Sequence, residues 1–512
     1  MRVMGHLRRR TFVLGGLGVA AAAVSAPLPR ARASGRYPFH LGLASGEPDF
    51  SSVVLWTRLA RDPLAADGHG GMPEIDVAVE WQVSATASFA AVVASGVELA
   101  RHADAHSVHA VARGLRPDGE YFYRFRALGE ISPVARTRTA PAPGTLGPSL
   151  AMAFVSCANW ESGYYTAYRR LAEEQPDLIL HLGDYIYENA PVPGAVRRHE
   201  GGEAVTLADY RRRYAQYKTD PDLQAAHLIA PWVVVPDDHE VEDNYAGLAR
   251  ADDYPHLTAG QFRARRAAAY RAYYENLPLR PANAAHGAGM TLYRRVRWGR
   301  LATFHMLDTR QFRDDQVCGD LVKICPDADR PGRTITGAAQ ERWLLDGLAR
   351  RLGVWDVLGQ QVFFAGQRSA AGAGNMDAWE GYRAARDRLQ RGWVDRHLPN
   401  PVVLTGDVHQ SWANDLKADY TDPDSAVIGA ELVCTSISTG GDGTASTLVP
   451  DAAANPHLRF FSDRRGYVRT RISAERIQAD FRAVDQISRP GAPVRTVGSF
   501  GLEPDRPGLI TP

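Results

Sequence analysis

The chain has 512 residues, 45% hydrophobic, 23% charged and 9% aromatic, a globular composition that excludes a single small module, a disordered chain and a collagen-like repeat. Lys plus Arg number 59 against 58 Asp plus Glu, a formal charge of +1, so no charge excess points to a stable nucleic-acid partner or an anionic membrane. Residues 1–33 alter that balance, because they hold six arginines and no acid, and their removal lowers +1 to −5. Arg9-Arg10-Thr11-Phe12, the weakly apolar run from Val13 to Ala26 and Ala31-Arg32-Ala33 read as a twin-arginine signal peptide with its h-region and A-x-A cleavage site. The run is shorter than the roughly 20 residues of a spanning helix. The expected mature protein therefore lacks a transmembrane anchor, is delivered by the twin-arginine (Tat) export machinery, and is secreted or periplasmic. That route carries chains already folded, often around a metal or cofactor.

Residues 34–142 show short β-branched and aromatic runs between turn residues: SSVVLWTRL, IDVAVEWQV, AAVVASGVEL, HSVHAVARGL, EYFYRFRAL and SPVARTRT. This pattern predicts a β-sandwich. The stretch from Leu115 to Tyr123 resembles the tyrosine-corner region of fibronectin type III or immunoglobulin-like domains. His102, His106 and His109 superficially suggest zinc, but strand and loop spacing does not gather them on one face, so they are expected to be solvated. Ala140 to Pro148 reads as a linker.

Over residues 143–512 apolar strands alternate with amphipathic helices, predicting a layered α/β domain. The expected strands are AMAFVSC, DLILHLGD, PWVVVPD, LATFHMLD, VWDVLGQQVFF, PVVLTGD and ELVCTSIS; helices are expected at about 164–174, 206–217, 259–275, 337–351 and 377–391. The strands are continuous apolar runs, as when both sheet faces are covered. Arg211, Arg212 and Arg213, and the run 263–274, are expected on exposed helix faces. The segments from Glu188 to Leu207 and from Asp314 to Thr336 read as loops rimming a site. Cys318 and Cys325 favour a local disulfide in an exported chain, with reduced thiols as the alternative, and Cys434 reads as a buried small hydrophobe.

Polar residues stand where strands end. AMAFVSC ends in Cys157; DLILHLGD ends in Asp184, with Tyr187 following; WVVVPDDHE ends in Asp237, Asp238, His239 and Glu240; VVLTGDVH ends in Asp407 and His409. In an open α/β sheet the carboxyl ends of strands converge on one crevice. One carboxylate there is explained as a helix cap or turn residue; four such endings point to a metal site. Thiolate Cys157, phenolate Tyr187, carboxylate Asp184 and imidazole His409 suit Fe(III). Asp184, Asp238 and Asp407 offer hard oxygens to Ca²⁺, Mg²⁺ or Mn²⁺, with Asp184 able to bridge.

The blocks SCANWESGYYTAYRRLAEEQPDLILHLGDYIYE, PWVVVPDDHEVEDNYAG, LDTRQFRDDQVCGD and VVLTGDVHQSW, with the opening FHLGLASGEPDFSSVVLWTRL, resemble the PhoD family of alkaline phosphatases and phosphodiesterases within the calcineurin-like metallophosphoesterases. The resemblance implies a metallophosphoesterase layered α/β sandwich preceded by a small fibronectin/Ig-like β-sandwich. It implies Fe³⁺ on Cys157, Asp184, Tyr187 and His409. It also implies a divalent ion on Asp184, Asp238 and Asp407, Ca²⁺ first, with Mg²⁺, Mn²⁺ or Zn²⁺ as alternatives. Pro236 departs from the Trp more usual before the Asp pair, without removing a ligand. The implied chemistry is hydrolysis of phosphate mono- or diesters by an oxide or hydroxide held between two cations, serving phosphate scavenging. His239 matches the catalytic imidazole, against a packed structural role. Arg310 is a weaker candidate for contact with phosphate, against a surface role.

Three other functions are weighed. A phospholipase D-like phosphodiesterase falls within the same resemblance. A non-catalytic cell-surface binding protein predicts a missing ligand or a lost His239, and all are present. A carbon-ester metallohydrolase predicts His-rich ligation, and no H-x-H pair occurs.

Overall fold

The computed structural model describes residues 37–250, 257–422 and 424–511; the expected leader lies outside them. The apolar runs form strands in two large sheets rather than one. A ten-stranded sheet has Leu150–Val155, Leu178–His181, Pro231–Val234 and Leu43–Gly46 side by side and parallel at its centre. A seven-stranded sheet centres on parallel Ala302–Met306, Trp355–Gly359, Val402–Thr405 and Val427–Val433.

The sheets face each other. Phe154, Leu180 and Val233 from the first pack with Phe304, Val357 and Leu404 from the second in one buried cluster. Because strand side chains alternate, the neighbouring residues Val155, Ile179, Trp232 and Val234 face outward, under the helices Leu207–Lys218 and Ala259–Asn276. Leu358, Val403 and Val433 do the same under Gly337–Leu348 and Arg383–Asp395. The layers are helix, sheet, sheet, helix, so every central strand is covered twice.

At the amino end, Ser52–Arg58 and Ser107–Arg113 extend the ten-stranded sheet beside Leu43–Gly46. Their other side chains, Val53, Leu55, Val108 and Ala110, pack against Val79, Trp81, Tyr123 and Phe125 of a separate five-stranded sheet, making a β-sandwich. The Tyr121 hydroxyl accepts a hydrogen bond from the Arg116 amide at 2.8 Å, the bond that the tyrosine-corner resemblance implies.

Two expectations are corrected. The basic helices do not simply turn their arginines outward: Arg211, Arg213 and Arg265 are buried. Arg211 pairs with Glu275 at 2.6 Å, Arg213 donates to the carbonyls of Tyr187, Asn189 and Gly202, and Arg265 pairs with Glu242. Buried guanidinium groups persist because each meets carboxylates or carbonyls. Nor are the three histidines free in solvent, His106 being buried and His102 and His109 half-buried. His106 bonds the Ile75 carbonyl at 2.8 Å, His109 those of Tyr274 and Leu277 at 2.9 and 3.0 Å, and His102 stacks on His69.

Candidate metal centre

Both parallel sheets send their carboxyl ends to one edge. Cys157, Asp184 and the Asp237-Asp238 pair follow strands of the ten-stranded sheet, while Arg310, Asp407 and His409 follow strands of the seven-stranded one. A parallel bridge between Ser156 and Ser436 joins the layers there. Two glycines permit the approach: a Cβ on Gly183, at φ +115°, would lie 2.4 Å from that of Asp237, and one on Gly406 would lie 2.8 Å from that of Ser156.

The chain turns sharply at these residues. Cys157, Asp184, Asp407 and His409 all have left-handed backbones, with φ of 59°, 56°, 63° and 58°, a region unfavourable to side chains with a Cβ. Such strain gathers at functional sites, where the surroundings fix it.

The expected ligands converge. One donor atom each from Cys157, Asp184 and His409 lies within 4.8 Å of the others, and so do those of Asp184, Asp238 and His239, and of Asp237, Asp238 and Asp407. The Tyr187 hydroxyl joins the first group, 3.0 Å from Asp184 Oδ2 and 3.2 Å from His409 Nε2. Thr439 donates to that hydroxyl at 2.8 Å.

Burial, then the neighbouring Asp238, drives the Asp184 carboxyl well above its ordinary range; burial and Asp237 do the same to Asp407. Burial and Asp184 raise the Cys157 thiol, and burial lowers His409 to about 3. Asp184 Oδ1, Asp237 Oδ2, Asp238 Oδ1 and Arg310 Nη2 are buried without hydrogen-bond partners among the described residues. Clustered carboxylates with unsatisfied oxygens, a thiol, a phenol and an imidazole suit cations well, since a cation relieves both repulsion and missing bonds.

Arg310 is not on the surface. It is buried, with Nε 2.5 Å from Asp237, Nη1 2.8 Å from Asp377, and Nη2 3.7 and 3.8 Å from Asp238 and Asp407. His239 Nδ1 meets Glu188 Oε2 at 2.8 Å. Burial opposes protonation of this histidine, but Glu188, Asp238 and Asp184 outweigh it and raise its pKa well above the usual value.

Three acidic residues were not assigned roles from sequence. Glu188 orients His239 and accepts the Asp243 amide at 3.0 Å. Glu240, fully buried, accepts the amides of Asp184, Tyr185 and Asp237 at 3.1, 2.6 and 2.7 Å. It thereby ties two ligand-bearing turns together. Asp377 accepts from Arg310, Arg313 and Gln316. Glu188 and Glu240 each neighbour a candidate site residue in sequence, which is a usable signal; Asp377 has none. In the loop expected to rim the site, Cys318 and Cys325 form a disulfide, and Asp320 accepts from Asn244 at 3.2 Å.

Known proteins resemble this chain over most of its length. The PhoD-like phosphatase pattern matches residues 152–481, and that of the PhoD-like phosphatase N-terminal domain matches residues 22–141. Alkaline phosphatase D of Bacillus subtilis (strain 168) is 47% identical over 484 residues, covering 92% of this chain and 82% of that protein. A solved structure of PhoD superposes with a TM-score of 0.89 at 46% identity, covering 93% of this chain and 92% of that one. The chain therefore belongs to the PhoD-like phosphatase family.

Proposed function

We propose that the mature chain is an exported, metal-dependent phosphoesterase that hydrolyses phosphate mono- or diesters for phosphate scavenging, residues 34–142 forming its β-sandwich domain and 143–512 its catalytic domain. The observation that carries this reading is the convergence of Cys157, Asp184, Tyr187, Asp238, Asp407 and His409 at the joined edges of two sheets. Cys157, Asp184, Tyr187 and His409 would hold Fe³⁺, and Asp184, Asp238 and Asp407 a divalent ion, Ca²⁺ foremost. Bound there, such a pair supplies neutralisation of phosphate charge and activation of water.

The remaining steps belong to the chain. Glu188 accepts a hydrogen bond from Nδ1–H of His239, so Nε2, 3.7 Å from Asp243, points away from Glu188 and serves the substrate. A protonated His239 donates from Nε2 to the departing oxygen of the ester. Arg310 holds Asp237 and Asp377 in place, and its buried Nη2, near Asp238 and Asp407 at 3.7 and 3.8 Å, is the donor that would meet a phosphate oxygen. Glu240 fixes the turns carrying Asp184 and Asp237 relative to each other.

Export is supported by the twin-arginine pattern and the A-x-A site, and no helix among the described residues is long and apolar enough to cross a membrane. The reading is tested by hydrolysis of a chromogenic monoester and its diester at alkaline pH with Ca²⁺, repeated after chelation. Chelator-sensitive turnover is expected, and the ratio of rates separates phosphatase from diesterase. Turnover indifferent to chelation, or none on either ester with both metals bound, overturns it.

A further inference from the structure

A cleft of about 390 Å³ opens beside the edge strand Arg294–Trp298, and none of the expected metal ligands lines it. Its walls carry Glu47, Asp49, Phe50, Arg280, Arg294 and Arg297. The charges do not cancel. Arg294 is fully engaged, with Nε 2.9 and 3.1 Å from the Glu47 carboxylate and other donors on the carbonyls of Val234 and Leu292. Arg295, also at the wall, turns its guanidinium onto the Trp343 ring at 3.8 Å.

Arg280 engages only Nη2, on the Glu47 carbonyl at 2.6 Å and the Ser52 hydroxyl at 3.1 Å. Its Nε and Nη1 face no acceptor among the described residues. The Arg297 guanidinium has no hydrogen bond or ion pair with any described residue, and its Nε is shielded from solvent. Against these two cations stands, among the described residues of the wall, one carboxylate without an ion pair, Asp49. Guanidinium groups with spare donors in a recess are suited to a phosphate oxyanion. The volume exceeds what a bare oxyanion fills and falls within the range of small-molecule sites. Phe50, 40% exposed, presents a ring at the cleft wall, and Asn283 keeps its carboxamide oxygen available while its Nδ2 donates to Thr291.

We propose that this cleft binds a phosphomonoester carried on a ring, of mononucleotide or sugar-phosphate size, with the oxyanion on Arg280 and Arg297 and the ring against Phe50. The site is separate from the metal centre, and only the second class of binding and the turnover control in its test rest on the catalytic reading.

The test is calorimetric titration of the metal-loaded full-length protein with a non-hydrolysable phosphonate analogue of AMP, which also enters the metal centre. The wild type is expected to show two classes of site. Arg297→Met and Arg280→Met should each abolish one class or weaken it at least tenfold, with turnover of a chromogenic ester unchanged. Arg297→Met removes no hydrogen bond or ion pair with the described residues and keeps a side chain of similar length, so its folding is secure. Asp49→Asn should tighten the same class. A phosphonate analogue of ribose 5-phosphate separates the sources: equal affinity assigns the ring contact to sugar, tenfold weaker affinity to the base. Methylphosphonate binding as tightly as either refutes the ring contact. Binding unchanged in both arginine variants, whether the wild type shows one class of site or two, overturns the proposal.

Discussion

Replacing Arg310 with Met removes the one donor to Asp237 Oδ1 and one of three to Asp377. Arg310, Asp237 and Asp377 each expose 5% or less of their side chains, and the two ion pairs measure 2.5 and 2.8 Å. Deleting one partner of a buried pair costs about 3–5 kcal/mol, because the remaining charge is left without compensation. Asp377 keeps Arg313 at 2.6 Å and Gln316 at 2.7 Å, so the loss falls on Asp237 and the lower end, about 3 kcal/mol, is expected. Unfolding entropy grows with length, and for a chain of this size about 1 kcal/mol corresponds to only 1 °C, so the melting point drops by about 3 °C. Denaturant titration at fixed metal concentration is the sharper assay. Arg310→Met/Asp237→Asn should regain most of the loss, since the carboxylate closest to the lost guanidinium is no longer charged. Equal midpoints for wild type and Arg310→Met, or no rescue in the double variant, refutes the reasoning. A double variant that recovers stability while kcat/KM stays low places Arg310 against the substrate as well.

Asp184→Asn should lower occupancy of both metals together, measured by elemental analysis; loss of one alone makes Asp184 a terminal ligand. With Fe³⁺ on Cys157 and Tyr187 the purified protein should be coloured by ligand-to-metal charge transfer, and Cys157→Ala should remove the thiolate contribution; a colourless, iron-free and fully active enzyme sinks that assignment. Asp407, at φ +63°, makes Asp407→Gly more stable than Asp407→Ala by about 1 kcal/mol in denaturant titration, because only glycine relaxes the left-handed backbone; an Ala variant equal to Gly denies the strain. Burial lowers His181 to about 3 and His109 to about 4, below an unfolded value near 6.5. The unfolded chain then takes up protons that the folded chain refuses, so this stability is complete above about pH 6.5 and lost as pH falls toward 4, by up to about 2.7 kcal/mol per histidine at pH 4.5. Replacing either by Gln should flatten the acid limb of the stability profile, and an unchanged limb contradicts it.

The expected ligands were legible because an apolar strand that stops at Cys157, Asp184, Asp238 or Asp407 announces both a strand end and a functional group. Pairing between layers was not legible. Strands such as Leu150–Val155 and Val402–Thr405 have the same apolar character, and nothing local says that they join different sheets. Asp377 follows no strand run, and its meaning comes from Arg310, 67 residues away. Its capture in the site also helps explain the helix expected from 377, which begins at Arg383 after a short 3-10 turn. The expected strands end at Ser438, yet Gly466–Ile472 and Ile477–Val484 follow, with charged residues on their more exposed face. That alternation differs from the unbroken apolar runs of the centre, and period two alone identifies it. Arginines mislead because their charge suggests solvent; Arg211 and Arg310 are held inside by Glu275 and Asp237, residues that sequence distance hides.

The two-layer origin of the centre has a consequence for how it fills. Cys157, Asp184 and Asp238 are synthesised long before Asp407 and His409, yet two of the three donor groups, and both proposed ion sites, draw from both sets. An emerging amino-terminal half carries an incomplete set of donors, and holding an ion firmly must wait until the second sheet docks. An ion held there would join the two layers like a rivet, and the compartment in which docking finishes would decide which ions compete for it.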